Sequence, residues 1–299
     1  MPGPDDTKSY HIGAAGMIAP PLAPALYLVA TPIGNLRDVT LRALETLAAA
    51  DFVYCEDTRV TAKLLERYGI RNHLRACHEH NEQEQAARIT ADIAAGKSVA
   101  LVSDAGLPLI SDPGFRLVNA AVAAGLQVIS IPGASATLTA LQVSGLATDQ
   151  FLFLGFLPQK QKARLDVLRD HIAASATLIA YESPHRLIAA LQDIASVYGN
   201  RTVVMARELT KLHEEVLRGS ALVLVETLGA RETLKGECVL VIAGATDAET
   251  QLDEAAIARI LKEAAANLPA SKAASQASRL TGLPRDEAFK RILALKDKI

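Results

Sequence analysis

Apolar and polar positions along the chain follow two alternating rhythms. Short continuous apolar runs, LYLVAT (26–31), DFVYC (51–55), VALV (99–102) and LQVISI (126–131), are separated by segments whose apolar residues recur every three or four positions. The runs read as buried strands. The periodic segments read as helices at 38–50, from Thr58 to Tyr68, at 81–96 and at 115–125. In the first helix Leu41, Leu44 and Leu47 share one face, and Asp38 stands where an N-cap belongs. Strands alternating with helices predict a mainly parallel sheet covered on both faces. PGASA (132–136) then opens an Ala/Leu-rich helix.

A second unit starts near residue 151. FLFLGF (151–156), TLIAYE (177–182), RTVVMAREL (201–209) and CVLVIAG (238–244) read as strands. QKQKARLDVLRDHI (159–172) and the segment after Pro184 read as helices, and EEVLRGS (214–220) suggests an antiparallel hairpin. Three short helices, broken at LPAS and TGLPRD, are expected over 253–299. The expected fold class is thus α/β, with an N-terminal α/β domain over 25–148, a second over 149–246 and a basic helical tail over 253–299. Residues 1–24, with five prolines and three glycines, read as a disordered tail in which Met17 is an alternative start.

Composition sharpens this outline. A chain of 299 residues suits about two domains. With no Trp and 4% aromatics, Ala, Leu, Val and Ile must build the interior. A formal charge of −2 argues against coating nucleic acid by net charge alone, but the charge is unevenly spread. Residues 269–299 hold seven Lys/Arg against three Asp/Glu, a net +4, which marks the tail as a candidate RNA contact. A second basic stretch carries Lys160, Lys162, Arg164 and Arg169. Three distant cysteines in odd number fit a reducing cytoplasm and give no disulfide framework. No apolar run approaches the ~20 residues of a membrane span. The first 24 residues also lack the basic start and apolar stretch of a secretory signal.

Candidate chemistry sits in four loops, each directly after an expected strand: TPIGN (31–35), EDTR (56–59), SDAGLPLISDPG (103–114) and PGASA. Ligands of open α/β sheets bind at the carboxyl ends of the strands. Gly permits close backbone approach and Pro stiffens a loop, so the four together favour a rigid small-molecule cradle. No GxGxxG follows a strand and no GxxxxGK[ST] occurs, which leaves out a dinucleotide fingerprint and a P-loop. Glu56, Asp57, Glu182 and Glu208 are candidate general bases at strand ends, although Asp57 could equally cap the helix after it. Cys77, His78 and His80 lack a second ligand group at zinc-like spacing, so no metal is expected. Arg59, Arg186, Arg207 and Lys211 could grip phosphate or serve as ordinary structural charges.

TPIGNLRDVTLRAL, EDTR, HEHNE (78–82), LVSDAGLPLISDPG, PGASA, GFLP (155–158), YESPHR (181–186), ARELTK (206–211) and the KGE preceding the 238 strand together carry a resemblance. The chain resembles the tetrapyrrole-methylase superfamily over about residues 26–299, most closely its branch that 2′-O-methylates a cytidine of 16S ribosomal RNA. Porphyrin and corrin methylases usually show a GPGDP-like first loop where this chain has TPIGN. The resemblance implies S-adenosylmethionine (AdoMet) in a cleft between two α/β domains. Pro32, Ser103, Asp104, Ala105, Gly106, Pro108, Ile110 and Ser111 would hold it, with Gly133, Ala134, Ser135 and Ala136 from the next loop. Leu107 stands where the family commonly has Thr, and Ala134 where Pro is common.

By the same resemblance the substrate is 16S rRNA of the small ribosomal subunit, the enzyme is cytoplasmic, and it is a homodimer. Asn35, Arg59, Arg186, Arg207 and Lys211 are the expected substrate contacts. Asp57 and Glu182 are expected to face the methyl group from opposite domains, with Glu56 and Glu208 as further catalytic candidates. Two rivals remain: a tetrapyrrole C-methyltransferase on the same fold, and a non-catalytic RNA-binding assembly protein. TPIGN, EDTR and the basic tail weigh against the first.

Overall fold

The computed structural model describes residues 8–78, 81–112, 114–246, 254–281 and 283–296. They form two units, one made of Met1–Arg169 and Thr177–Ala243, the other of Asp170–Ala176 and Gly244–Ile299.

The described part of the N-terminal segment is not a loose tail. Strand β1 (Ser9–Ile12) pairs antiparallel with β2 (Ala15–Ile18). Tyr10 turns inward and is buried, its hydroxyl 3.2 Å from Glu45, and the His11 N–H donates to the Tyr68 carbonyl at 2.7 Å. One buried aromatic and a backbone bond to the body anchor strands too short to show a sequence period.

The first sheet holds β3 (Ala25–Val29), β4 (Phe52–Cys55), β5 (Leu74–Ala76), β6 (Ser98–Val102) and β7 (Val128–Ile131) in the order β5-β4-β6-β3-β7, all parallel. Alternate strand residues serve opposite faces. Tyr27, Val29, Ala100 and Val102 pack with Leu44 and Leu47 of α1 (Leu41–Ala49) and Leu64 of α2 (Thr58–Arg67). Leu26, Val99 and Leu101 meet Ile89 and Ile93 of α3 (Glu82–Ala94) and Leu117 of α4 (Phe115–Ala123) on the other face. Helix α1 is capped by Thr40, whose Oγ1 accepts from the Ala43 N–H at 3.1 Å. The expected cap, Asp38, instead ends a short 3-10 turn at Leu36–Asp38, because Val39 is extended between the two.

Helix α5 (Ala136–Ser144) crosses to the second sheet, where Ala140 and Leu141 pack with Ile179, Val204, Ala206 and Val241. That sheet contains β8 (Phe151–Phe156), β9 (Thr177–Glu182), β10 (Thr202–Arg207), β11 (Glu215–Ser220) and β12 (Cys238–Ile242), ordered β11-β10-β12-β9-β8. Only β8 and β9 are parallel neighbours; β10 and β11 form the expected hairpin, with Arg207 opposite Glu215. Helices α6 (Gln161–Asp170), α7 (Leu187–Tyr198) and α8 (Ala221–Gly229) complete the element order. One expected basic contact is corrected here. Arg164 is 4% exposed and its guanidinium binds Asp193 at 2.6 and 2.8 Å, so it is structural.

In the second unit α9 (Glu254–Asn267), α10 (Ala270–Thr281) and α11 (Arg285–Lys296) bury Ile257, Leu261, Ala273, Ala274, Ala277 and Ile292. Small alanines let the helices approach closely. Arg259, Lys262, Lys272 and Lys290 remain exposed.

Candidate active site

The loop after β6 is built to stay rigid. Thr31 and Gly106 exchange two backbone hydrogen bonds at 2.9 and 3.1 Å, and Thr31 Oγ1 donates to the Ser103 carbonyl at 3.0 Å. Ser103 Oγ accepts from the Ala105 N–H at 3.1 Å and donates to the Asp112 carboxylate. Burial pushes the Asp112 carboxyl up, against the pull of that hydroxyl. Leu109 (φ 73) and Ser111 (φ 66) are left-handed, costing about 1–3 kcal/mol each. Gly106 (φ 85) takes the bridging position, where an added Cβ would sit 3.3 Å from Ile33 Cγ2.

This loop, the start of α5, the ends of β8 and β9 and the start of β12 enclose a cavity of about 360 Å³. Seven of the twelve expected cofactor residues line it: Asp104, Ala105, Gly106, Ile110, Ser111, Ser135 and Ala136. The other five stand behind them. Ser103 and Pro108 belong to the same loop, Pro32 precedes the lining Ile33, and Gly133 and Ala134 precede Ser135, with Gly133 against Ala30. Residues not expected on the lining include Asp112, Phe156, Tyr181, Ser183, Glu237 and Cys238. Most lie inside motifs quoted above, but which members face inward depends on strand pairing that one chain does not reveal. The acids Asp104, Asp112, Glu182 and Glu237 are among the lining residues, Glu182 with its side chain fully buried, and no Lys, Arg or His is among those described. Such a wall favours a cationic ligand.

The four carboxylates expected to be catalytic are separated by the structure. Glu182 alone lines the cavity. Its Oε1 accepts from the Ser183 N–H and from Arg186 Nε, each at 2.7 Å, while Oε2 is buried with no hydrogen-bond partner among the described residues. Asp57 does not face it across the cavity. It caps α2, accepting from the Arg59 N–H at 2.8 Å and the Arg59 guanidinium at 2.6 Å. These contacts hold its carboxyl down to about 2, too acidic for a base at neutral pH. Glu208 is bound by Lys211 at 2.7 Å, which keeps its carboxyl below the usual range. Glu56 is exposed at the end of β4; partial burial and then Asp104 and Asp112 push it up.

The expected substrate contacts are mostly committed within the chain. Arg186 binds Glu182 and the Leu157 carbonyl, Arg207 binds Glu215 and the Lys235 carbonyl, and Lys211 bridges Glu208 and Glu237. Asn35 Oδ1 accepts from the Arg37 N–H at 3.1 Å, and its own N–H donates to Thr210 Oγ1 at 3.0 Å. Arg59, paired with Asp57, is the exposed member, at 87% of its side chain. Of the HEHNE motif, Glu79 and His80 lie outside the described residues, as does Pro113 of the long loop. Cys77 is buried, its thiol pushed up to about 11.

Two expected outcomes follow from these contacts. Asp57, Glu208 and Glu215 have folded pKa values below their unfolded ones. Their stabilisation is therefore present above about pH 4 and lost as pH falls toward 2. Melting temperature should hold between about pH 7 and 5 and drop below 4, and Asp57→Asn should remove part of that drop. Gly34 lies where loop 31–35 meets loop 208–211: an added Cβ would be 2.5 Å from Lys211 Cγ, 2.8 Å from Thr210 Oγ1 and 3.0 Å from the Leu209 carbonyl. Gly34→Val should cost about 1–3 kcal/mol in denaturant unfolding. An unchanged midpoint would show that the two loops yield freely.

A parallel sheet with strand-end loops and a second, largely antiparallel sheet thus meet at an acid-lined cavity. The chain belongs to the tetrapyrrole (corrin/porphyrin) methylase family, whose pattern matches residues 25–223, and it is a methyltransferase. Residues 251–296 match a second pattern, described as the RsmI C-terminal HTH domain. The chain is 51% identical over 288 residues to the ribosomal RNA small subunit methyltransferase I of Mesorhizobium japonicum, covering 96% of this chain and 97% of that one. It is 45% identical to the protein of the same name in Escherichia coli O157:H7, over 89% and 93%. Among solved structures, uroporphyrin-III-C-methyltransferase from Thermus thermophilus shares the fold at 20% identity and TM-score 0.52, over 73% of this chain and 93% of that one. Among the described residues no helix is long and apolar enough to cross a membrane.

Proposed function

We propose that this protein transfers a methyl group from S-adenosylmethionine to the ribose 2′-hydroxyl of a cytidine in 16S rRNA of the small ribosomal subunit, in the cytoplasm. The observation that carries this reading is the cavity: about 360 Å³, within the range of small-molecule sites, and lined by carboxylates without a cation among the described residues. That charge suits a sulfonium ligand and opposes a nucleoside polyphosphate. The substrate class rests on relatives that carry the rRNA name over nearly the whole chain.

Bound there, AdoMet supplies an electrophilic methyl carbon on a cationic sulfur. The chain's part is largely positional. Loop 103–112 and residues 133–136 hold the donor, and fixing the attacking oxygen in line can supply about 7–11 kcal/mol. Glu182 would take up the hydroxyl proton at Oε2, and Arg186 keeps that carboxylate oriented. Exposed cations of α9 to α11, Arg259, Lys262, Lys272 and Lys290, contact RNA phosphates and so position the subunit without reading its bases. A second copy of the chain covers exposed apolar side chains, Phe115 and Val122 of α4, Leu138 of α5 and Phe151 of β8, in a homodimer.

The test is to incubate the purified protein with isotopically labelled AdoMet and small ribosomal subunits lacking the modification, then digest and map the RNA by mass. One 2′-O-methylcytidine in 16S rRNA is expected. Label on a porphyrinoid instead, or no label on RNA, would overturn the reading.

A further inference from the structure

The carboxylate of Glu82 lies outside the cavity, yet it ties down the far end of the loop that forms one wall. Glu82 is 6% exposed. Its Oε1 accepts from three backbone N–H groups across 32 to 35 residues of chain: Gly114 at 3.1 Å, Arg116 at 2.8 Å and Leu117 at 3.4 Å. They belong to the N-cap Gly114 and to the second and third residues of α4. They have no cap of their own, since the N-cap is Gly114 and the first turn holds no acidic residue. Without an acceptor the buried N–H groups of Gly114 and Leu117 would be left unsatisfied. Glu82 also stands in the first turn of α3, so a single carboxylate serves the positive ends of two helices.

Loop 103–112 is therefore held from two sides. The Thr31–Gly106 bridge fixes its start, and the α4 terminus held by Glu82 fixes the chain beyond its end. Between these points Leu109 and Ser111 keep left-handed backbone that relaxes if either hold slackens. We infer that Glu82 is a positioning residue for the donor site: it holds α4, and through α4 the strained loop, in the shape that binds AdoMet. The inference rests on the donor reading given above for the cavity.

Three full-length variants test it, read by calorimetric AdoMet affinity and by amide hydrogen exchange of residues 104–111 without ligand. Glu82→Gln keeps an oxygen at the same reach; Glu82→Asp keeps the charge one methylene short; Glu82→Ala removes both. Affinity should follow reach. The Gln variant should bind within about threefold of wild type, while the Asp and Ala variants bind about tenfold or more weakly and exchange the loop amides faster. Should the Ala variant not fold, the Asp and Gln variants decide the matter together. Wild-type affinity and loop protection in Glu82→Asp, even with a lowered melting temperature, would reduce Glu82 to a stability element and overturn the inference. If wild-type protein takes up no AdoMet but the Asp variant still loses loop protection, the clamp stands and the donor reading falls.

Discussion

Replacing Glu182 by glutamine is expected to lower kcat by about 10²–10⁴-fold, the range of a positioned general base, with AdoMet affinity little changed. Of the four strand-end carboxylates Glu182 alone lines the cavity, and its Oε2 is buried with no partner among the described residues. Glutamine keeps an oxygen for the Ser183 N–H and Arg186, so the local fold should survive, but the amide cannot take a proton. Single-turnover methyl transfer to small subunits, with donor affinity measured separately, distinguishes the two effects. A variant that transfers methyl at the wild-type rate would leave alignment alone to account for the acceleration. A parallel loss of AdoMet affinity would instead mark Glu182 as part of the donor's binding wall.

Two of the candidates that failed this geometric test did so for a local reason. Asp57 is followed by Arg59, and Glu208 by Lys211; each cation folds back onto its carboxylate, as a salt bridge two or three residues away readily does. Glu182 is likewise caught by Arg186 four residues on, but only through Oε1. Sequence spacing can suggest that an acid has a nearby cation; it cannot show which oxygen remains free. The parallel sheet was legible because most of its strands are short, nearly continuous apolar runs followed by Gly and Pro loops. β5 was not, since LRA carries one large apolar residue, and neither was the hairpin of β1 and β2, whose anchor is the single buried ring of Tyr10. The cradle loops were legible from their Gly and Pro content. Glu82, by contrast, gains its role only when α3 and α4 lie side by side, and a pattern read along one chain carries no trace of that.

Arg164 shows the same limit with a larger energetic consequence. It reads as one more cation in a basic helix, yet its partner Asp193 is 29 residues away on α7 and both side chains are about 5% exposed. Removing one partner of a buried pair leaves an uncompensated charge, so Asp193→Ala should destabilise the protein by about 3–5 kcal/mol. The effect should extend to the site. Arg164 Nη1 also donates to the Pro158 and Gln159 carbonyls, and Arg186 Nη2 to the Leu157 carbonyl. These bonds fasten the stretch after Phe156, a cavity residue, to the segment that bears Glu182. Chemical unfolding is the direct measurement. The paired replacement Arg164→Met with Asp193→Leu should cost less than Asp193→Ala, because it removes both buried charges and leaves two carbonyls and the Gln161 amide to find water. If Asp193→Ala unfolds at the wild-type midpoint, the Arg164 guanidinium finds another acceptor or reaches water, and the tie between α6 and α7 is packing rather than electrostatics.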